Sequence, residues 1–237
     1  MPETRLHVVL LSHTPSPETV CALAARTCYS ALDEKGLEEK VSSGDQSAFL
    51  RGIVKSGHLS VLEHASFTFF AEGVSRSLLA QISRHRIASF SVQSQRYVNL
   101  SSGFDYVIPP RIKELGEEEV QKYADQMQKM HEWYLYWQDK LGENANEDAR
   151  FVLPNACETH ITFTMNAREL LHFFSLRCCN RAQWEIRELA TEMLRLCREK
   201  APVIFENAGP GCVRGSCPEG GRTCGKAQET RERFAAL

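Results

Sequence analysis

The chain has 237 residues, enough for one large domain or two small ones, with 43% hydrophobic and 24% charged residues. A formal net charge of −2 excludes a global field that attracts nucleic acid, so any anion site must be local. The apolar run Val8 to Leu11 is too short for a signal peptide, and no stretch reaches membrane-spanning length, so we expect a soluble cytoplasmic protein. The nine cysteines, an odd number, favour reduced thiols over a disulfide framework.

Residues 1–56 predict a short strand followed by two helices. Residues 6–11 fit the strand. Pro17 marks the start of a helix whose apolar residues recur at helical spacing up to Cys28, because proline is favoured in the first turn. Residues 47–55 predict a second helix that ends at Ser56-Gly57. We interpret Cys28 and Tyr29, which close the first helix, as core-packing residues.

Residues 57–69 carry two histidines ahead of a predicted strand. His58 and His64 are not spaced as in a metalloprotease helix, and no cysteine lies close, so a metal site is not expected. From Ala65 onward the chain alternates and is aromatic and β-branched, which predicts a strand. His58 and Ser60 should therefore lie in a loop before the sheet, where functional residues concentrate.

A basic segment follows a helix predicted over residues 75–84. Residues 84–97 read Arg-His-Arg-Ile-Ala-Ser-Phe-Ser-Val-Gln-Ser-Gln-Arg-Tyr, with three arginines and no acidic residue. A buried guanidinium cannot lose its proton, so if this segment is buried it needs an anion that it does not itself supply. Phosphate fits, because the planar guanidinium binds two of its oxygens at once. A solvated basic turn is the alternative.

The spacing within this segment predicts how its side chains face a ligand. We expect Arg84 to Arg86 to close the helix, with Gln81 on the same helix face as Arg84. Ser94 and Arg96 are two positions apart, which in an extended segment places both side chains on one face. A hydroxyl and a guanidinium placed in this way would form a phosphate clamp.

Three later elements follow from apolar periodicity. Residues 114–141 predict the longest helix, whose aromatic stripe indicates core packing or a subunit contact. Residues 158–165 alternate threonine with apolar residues, which predicts a strand. Residues 182–200 predict another helix.

Asn166 is a good N-cap for the helix that follows the strand. At about 100° per residue, Asn166 and Arg177 lie on one side of this helix, whereas Arg168 and His172 lie on roughly the opposite side. A helix that is polar on two opposed faces is poorly suited to a single hydrophobic core. We therefore expect it to run between two sites, or between a site and a subunit interface.

Residues 209–237 differ in composition from the rest of the chain, being rich in glycine and charge and poor in large apolar side chains. Cys212, Cys217 and Cys224 suggest zinc, but a structural zinc site needs four ligands and no histidine follows His172. We therefore expect no metal, and a flexible, reduced tail after a domain of residues 1–208.

Six positions of the basic segment match a family signature. The positions, which fit the pattern RHR-x2-S-x4-S-x-R, are Arg84, His85, Arg86, Ser89, Ser94 and Arg96. Residues 149–154, Ala-Arg-Phe-Val-Leu-Pro, fit a second segment of the same family. On these motifs the chain resembles the flavin-dependent thymidylate synthases, and the resemblance stops before the tail.

The resemblance implies a reaction. It is the conversion of dUMP to dTMP, with methylenetetrahydrofolate as carbon donor and FAD carrying reducing equivalents from NADPH. No Gly-x-Gly-x-x-Gly fingerprint is present, so FAD would be held by side chains and helix ends. The competing interpretation is a non-catalytic protein that binds RNA or another polyanion through residues 84–96, and the net charge counts against it. We expect no nucleic-acid or membrane partner.

The resemblance also implies roles for single residues. Arg177 would stabilise negative charge on the uracil ring and His58 would lie beside flavin and folate, so both are candidate catalytic residues. The candidate cofactor-binding residues are Ser60, Arg84, His85, Arg86, Ile87, Asn166, Arg168 and His172. The candidate substrate-binding residues are Gln81, Arg84, Ser94, Gln95, Arg96, Arg150 and Arg177.

The resemblance also implies a fold and an oligomeric state. It implies an α+β fold with a central, mostly antiparallel sheet flanked by long helices, and a homotetramer with active sites at subunit interfaces. One departure concerns Val92, which stands where many members place Glu or Gln. The adjacent Gln93 is the candidate substitute.

Overall fold

The structure, a computed structural model, describes all 237 residues and has an α+β fold. Four strands form one antiparallel sheet in the order β1-β2-β4-β3. The strands are β1 His7–His13, β2 Ser66–Ser75, β3 Ala88–Val92 and β4 Glu158–Asn166. The predicted α+β class with an antiparallel sheet is therefore confirmed.

Ten α-helices accompany the sheet. They are α1 Pro17–Thr27, α2 Glu34–Ser42, α3 Ser47–Ser56, α4 Arg76–Ile82, α5 Pro110–Lys113, α6 Glu117–Leu141, α7 Asn146–Ala149, α8 Ala167–Arg177, α9 Trp184–Lys200 and α10 Ala227–Ala235. Short 3-10 helices cover Leu59–His64, Arg150–Val152, Gly211–Val213 and Gly220–Arg222. None of the helices combines the length and the apolar character that crossing a membrane requires.

The two central strands alternate between buried and partly exposed residues. On β2, Phe67 and Phe69 are fully buried, whereas Thr68 between them is partly exposed. Phe163 on β4 stacks on Phe69 with ring centroids 5.5 Å apart. The Thr68 side chain instead forms a hydrogen bond with that of Thr164, with 2.9 Å between the hydroxyl oxygens. Because successive side chains point to opposite faces of a strand, this alternation directs one face of each strand into the core.

The chain divides into two compact units. The first contains residues 1–7, 70–84 and 90–162, and the second contains residues 8–69, 85–89 and 163–237. In the first unit, the buried residues Phe104, Tyr106, Ile108, Met127 and Cys157 form one core cluster. In the second unit, α8 and α9 contribute buried residues on their facing sides, including Phe173, Phe174, Leu189 and Met193.

Several predicted element boundaries are confirmed. α1 begins at Pro17, α3 spans Ser47–Ser56, and α6 is the longest helix and ends at Leu141. Asn166 is the N-cap of α8, and its side chain accepts a hydrogen bond from the backbone N–H of Glu169 at 2.9 Å. Each of these boundaries depends on a signal within about one helical turn.

The prediction that Cys28 and Tyr29 pack in the core is wrong. Both lie at the exposed end of α1, and Tyr29 is 82% exposed.

The basic segment is folded differently from the prediction. α4 ends at Ile82, so Arg84 to Arg86 follow the helix rather than close it. Residues 88–92 form β3, an element that was not predicted. The chain turns directly after Ser94, because the carbonyl oxygen of Ser94 accepts hydrogen bonds from the N–H groups of Tyr97 and Val98. The one-face argument for Ser94 and Arg96 is therefore wrong.

Residues 209–237 carry two 3-10 helices and α10. Composition predicted a flexible tail. In the structure, Phe234 is only 1% exposed and Thr230 only 3%. Arg231 also donates from Nε to the carbonyl oxygen of Cys212 at 2.9 Å. A few specific contacts therefore anchor this segment in place of a broad apolar core.

Candidate active site

A buried hydrogen-bonded pair links the basic segment to α8. His85, which follows α4, and Glu169, in the first turn of α8, have side chains only 3% and 8% exposed. His85 Nδ1 lies 2.9 Å from Glu169 Oε1. Burying a carboxylate is costly without a hydrogen-bond partner, so the histidine is what makes the buried position of Glu169 tolerable.

Arg177 extends this pair from the end of α8. Its Nε donates to His85 Nε2 at 3.1 Å. Because a guanidinium can only donate, Nε2 must be the unprotonated nitrogen and Nδ1 must carry the proton that goes to Glu169. The geometry therefore assigns a single neutral tautomer to His85 and orients the plane of the Arg177 guanidinium.

The surroundings of His85 favour this neutral form. Burial lowers the pKa of the His85 imidazole, the neighbouring Arg177 and His172 side chains lower it further, and the hydrogen bond to Glu169 opposes the shift. The ring of Phe173 packs edge-on against His85 with centroids 4.8 Å apart. The apolar contact excludes water from this side of the imidazole.

Ligand atoms of His85, Glu169 and His172 lie within 4.8 Å of one another, which raises the question of a metal ion. Both ring nitrogens of His85 are already engaged, one by Glu169 and one by Arg177. A metal would therefore retain two protein ligands, fewer than the three or four that zinc sites use. The arrangement is that of a hydrogen-bonded chain.

The remaining candidate residues of the second unit are exposed. Arg86, Ile87 and His172 lie on the surface, with Ile87 66% exposed. The rings of His172 and His85 have centroids 6.0 Å apart. His58 is the N-cap of the 3-10 helix Leu59–His64, which contains Ser60 and packs against α8.

Arg168 is anchored to this same 3-10 helix. It forms an exposed ion pair with Glu63. Asn166, by contrast, uses its side-chain oxygen to cap α8. The structure thus places the candidate cofactor residues of the second unit around the start of α8 and the segment that packs on it.

In the first unit, Arg96 and Arg150 both contact Glu147. Arg96 forms an ion pair with the Glu147 carboxylate at 2.9 Å, and Arg150 Nε donates to the Glu147 carbonyl oxygen at 3.0 Å. Arg96 and Tyr97 line a pocket of about 500 Å³. These two arginines, 54 positions apart in the sequence, therefore lie close together.

The other substrate candidates of the first unit are Gln81, Arg84, Ser94 and Gln95. Gln81 donates to the Ser77 carbonyl oxygen at 3.3 Å within α4, and Gln95 donates to Cys157 Sγ at 3.8 Å. Ser94 Oγ accepts from the backbone N–H of Arg96 at 3.2 Å. Arg84 is exposed.

Three residues of these clusters were not singled out in the sequence. Glu147 and Glu169 lie outside the basic segment and bind Arg96 and His85, so other parts of the chain supply acidic partners that the segment itself lacks. Glu169 lies three residues after the N-cap Asn166, a spacing typical of a capping box, which gives it a purely local explanation. Arg76 is the third, since it donates to the Gln93 carbonyl oxygen at 2.8 Å while its Nε is buried without a partner.

Comparison with known proteins agrees with the sequence motifs. A family model described as Thymidylate synthase complementing protein matches residues 9–203. A flavin-dependent thymidylate synthase of Geobacter sulfurreducens is 56% identical over 233 residues, covering 98% of this chain and 99% of the relative.

Two further relatives are similar at lower identity. A flavin-dependent thymidylate synthase of Clostridium tetani is 47% identical and covers 95% of both chains. One of Pyrococcus abyssi is 41% identical and covers 98% of both chains. The predicted family is confirmed: the chain belongs to the flavin-dependent thymidylate synthases and is an enzyme.

Proposed function

We propose that this enzyme converts dUMP to dTMP, taking the carbon from methylenetetrahydrofolate and the reducing equivalents from NADPH through FAD. The observation that carries the proposal is the chain of hydrogen bonds from Arg177 through His85 to Glu169. It holds a permanently charged guanidinium in a defined orientation at the end of α8, beside a family signature.

In this proposal Arg177 acts as an electrostatic stabiliser. Negative charge develops on the N3/O2 edge of uracil as the ring attacks the folate methylene, and an oriented guanidinium lowers the energy of that charge. Arginine remains protonated at any working pH, so it does not serve as the base. His85 is a positioning residue, because its Nε2 is engaged by Arg177.

In this proposal the second unit binds the flavin dinucleotide. The cation Arg86 is exposed beside the apolar side chain of Ile87, and Arg168 and His172 are exposed on α8. Cations suit the pyrophosphate and an exposed apolar side chain suits the flavin ring. Arg86, Ile87, Arg168 and His172 would hold the cofactor, with His58 and Ser60 in the segment that packs on α8. Bound flavin supplies the hydride that completes the methyl group.

The first unit provides the residues for the substrate phosphate. We assign Gln81, Arg84, Ser94, Gln95, Arg96 and Arg150 to dUMP. Arg96 is already paired with a carboxylate, that of Glu147, and both side chains are about half exposed. An exposed ion pair of this kind contributes only about 0–1 kcal/mol, so a phosphate can replace the carboxylate at small cost.

We also propose a homotetramer with active sites at subunit interfaces. Large apolar side chains on α6 remain exposed, including Trp133, Tyr136 and Trp137. The helix is therefore suited to contact another protomer, because aromatic residues are enriched in the centres of interfaces.

The proposal is tested with the purified protein. We expect a flavin absorbance spectrum and formation of dTMP that requires dUMP, the folate and NADPH together. Omission of the folate alone should abolish dTMP while flavin binding remains. A colourless protein that forms no dTMP and retards RNA in a gel would overturn the proposal in favour of a polyanion-binding protein.

A further inference from the structure

Four cysteines lie together in the second unit. Cys179 lies in the turn between α8 and α9, and it lines one cavity of about 590 Å³ with Cys212 and Cys217. Asn180 donates from Nδ2 to the sulfur of Cys224 at 3.8 Å, which brings the fourth thiol to the same turn. All four are free thiols. The fold therefore supplies the fourth ligand that the tail lacks in the sequence.

The backbone that carries these cysteines is held from two sides. Arg231 on α10 donates to the carbonyl oxygens of Cys212 and Gly215 at 2.9 and 2.8 Å. Asn180 also donates to the hydroxyl of Thr230 at 3.2 Å, and Arg181 donates to the carbonyl oxygen of Arg222. These contacts fix the turn after α8 against residues 212–230.

Two N–H groups point at the fourth thiol. The backbone N–H of Lys226 and the side-chain amide of Asn180 both donate to the sulfur of Cys224. Hydrogen bonds from N–H groups stabilise a thiolate, which is the form in which a cysteine binds a metal ion.

The segment buries little apolar surface. Residues 209–237 contain six glycines, and their largest buried side chain is that of Phe234. Small glycine-rich segments that bury little apolar surface are commonly stabilised by a structural metal. Cys212 and Cys217 are separated by four residues, within the spacing of zinc-binding cysteine pairs.

We propose that Cys179, Cys212, Cys217 and Cys224 bind one structural Zn²⁺ ion with tetrahedral geometry. Four thiols lose their protons to solvent, and four Zn–S bonds of about 2.3 Å form without any change of oxidation state. The site ties residues 209–237 to the turn that begins two residues after Arg177. Arg177, which hydrogen-bonds to His85, lines the same cavity, but none of the four proposed ligands belongs to the hydrogen-bonded chain of His85.

The test is the metal content of the full-length enzyme, purified without chelators and measured by inductively coupled plasma mass spectrometry. We expect one zinc per chain. The variants Cys179→Ser, Cys212→Ser, Cys217→Ser and Cys224→Ser should each lose it. Changing only a supporting residue costs about 10–100-fold in metal affinity, so loss of a ligand should cost at least that. Cys28→Ser is the matched control, because Cys28 is an exposed thiol at the end of α1, and it should keep one zinc.

A second measurement does not depend on variants that fold. Wild-type enzyme from cells grown in medium with cobalt in place of zinc should show the visible absorption of tetrahedral cobalt bound to thiolates. These bands lie at longer wavelengths than the flavin bands. Thiol titration before and after chelation should find four additional reactive thiols after the metal leaves. Wild-type protein without zinc, protein with iron instead, or a thiol count lowered by disulfides would overturn the proposal, as would zinc retained in all four serine variants.

Discussion

Arg177 donates from Nε to Nε2 of His85 at 3.1 Å, so an arginine proposed for the chemistry is oriented by a histidine of the family signature. These residues are 92 positions apart. His85 is held in turn by Glu169 on its other nitrogen. A buried hydrogen-bonded chain of this kind fixes the direction of a charge that would otherwise be mobile, which is what electrostatic stabilisation of a transition state requires.

The role of Glu169 is tested by two substitutions. Glu169→Ala leaves the Nδ1–H of His85 buried without an acceptor, so we expect the free energy of unfolding to fall by about 1–3 kcal/mol. Glu169→Gln keeps an acceptor oxygen and should cost clearly less. Urea unfolding at one fixed protein concentration measures both, because the stability of an oligomer depends on concentration. Equal losses for the two variants would contradict the pairing.

The burial of His85 predicts a pH dependence of stability. Burial lowers the pKa of folded His85 below the value of about 6.5 for unfolded histidine. Between these two values the unfolded chain binds a proton that the folded chain does not, so the free energy of unfolding falls as the pH falls. His85→Asn keeps an N–H donor toward Glu169 but does not titrate. Chemical unfolding across this pH range should show a weaker dependence in His85→Asn, and parallel curves would rule out the neutral tautomer.

Substitutions in the Arg96–Glu147 pair should affect substrate binding more than stability. Glu147→Gln should change the free energy of unfolding by no more than about 1 kcal/mol, because the pair is exposed. It should leave KM for dUMP unchanged or lower, since the carboxylate no longer competes with phosphate. Arg96→Ala should raise KM for dUMP. Steady-state kinetics measure KM for all three proteins. A raised KM for dUMP in Glu147→Gln would argue against replacement of the Glu147 carboxylate by the substrate phosphate.

Any side chain at Gly73 should destabilise the folded protein strongly. Its φ of +69° is in the left-handed region, and a Cβ at this position would lie 1.8 Å from the carbonyl oxygen of Arg5. Gly73→Ala should therefore lower the free energy of unfolding by more than about 2 kcal/mol, the upper cost of left-handed backbone alone.

Gly52→Ala is the matched control for Gly73→Ala. Gly52 lies within α3 and has open space around it. Alanine there should stabilise the helix by up to about 1 kcal/mol. If thermal unfolding showed similar changes for both variants, the close approach at Gly73 would be refuted.

Local signals in the sequence predicted much of the fold. Pro17 and Asn166 mark the starts of α1 and α8, because both act within a single helical turn. α2 was not predicted, since Val41 is its one buried residue and it has no apolar stripe. Its start is set by Asp33, whose side chain caps the N–H of Gly36.

Contacts between distant segments could not be predicted from spacing. Glu169 has a sufficient local explanation in the helix cap, which conceals its pairing with His85. Cys179 lies within the matched family region, whereas the cysteines that approach it lie beyond residue 209. In the turn that follows Ser94, the carbonyl oxygen of the serine accepts from Tyr97 and Val98, and its hydroxyl oxygen accepts from the backbone N–H of Arg96. These local hydrogen bonds replace the extended conformation that the two-residue spacing predicted.

The most direct measurement of the central claim is the release of tritium from 5-tritiated dUMP in the presence of the folate and NADPH. The account predicts that Arg177→Ala loses turnover by roughly 10²-fold or more, the cost of removing one transition-state donor, while it keeps the flavin spectrum. Arg111→Ala, which removes an exposed arginine on α5, should match the wild type. Undiminished tritium release by Arg177→Ala would contradict the account, because the oriented guanidinium would then have no part in the reaction.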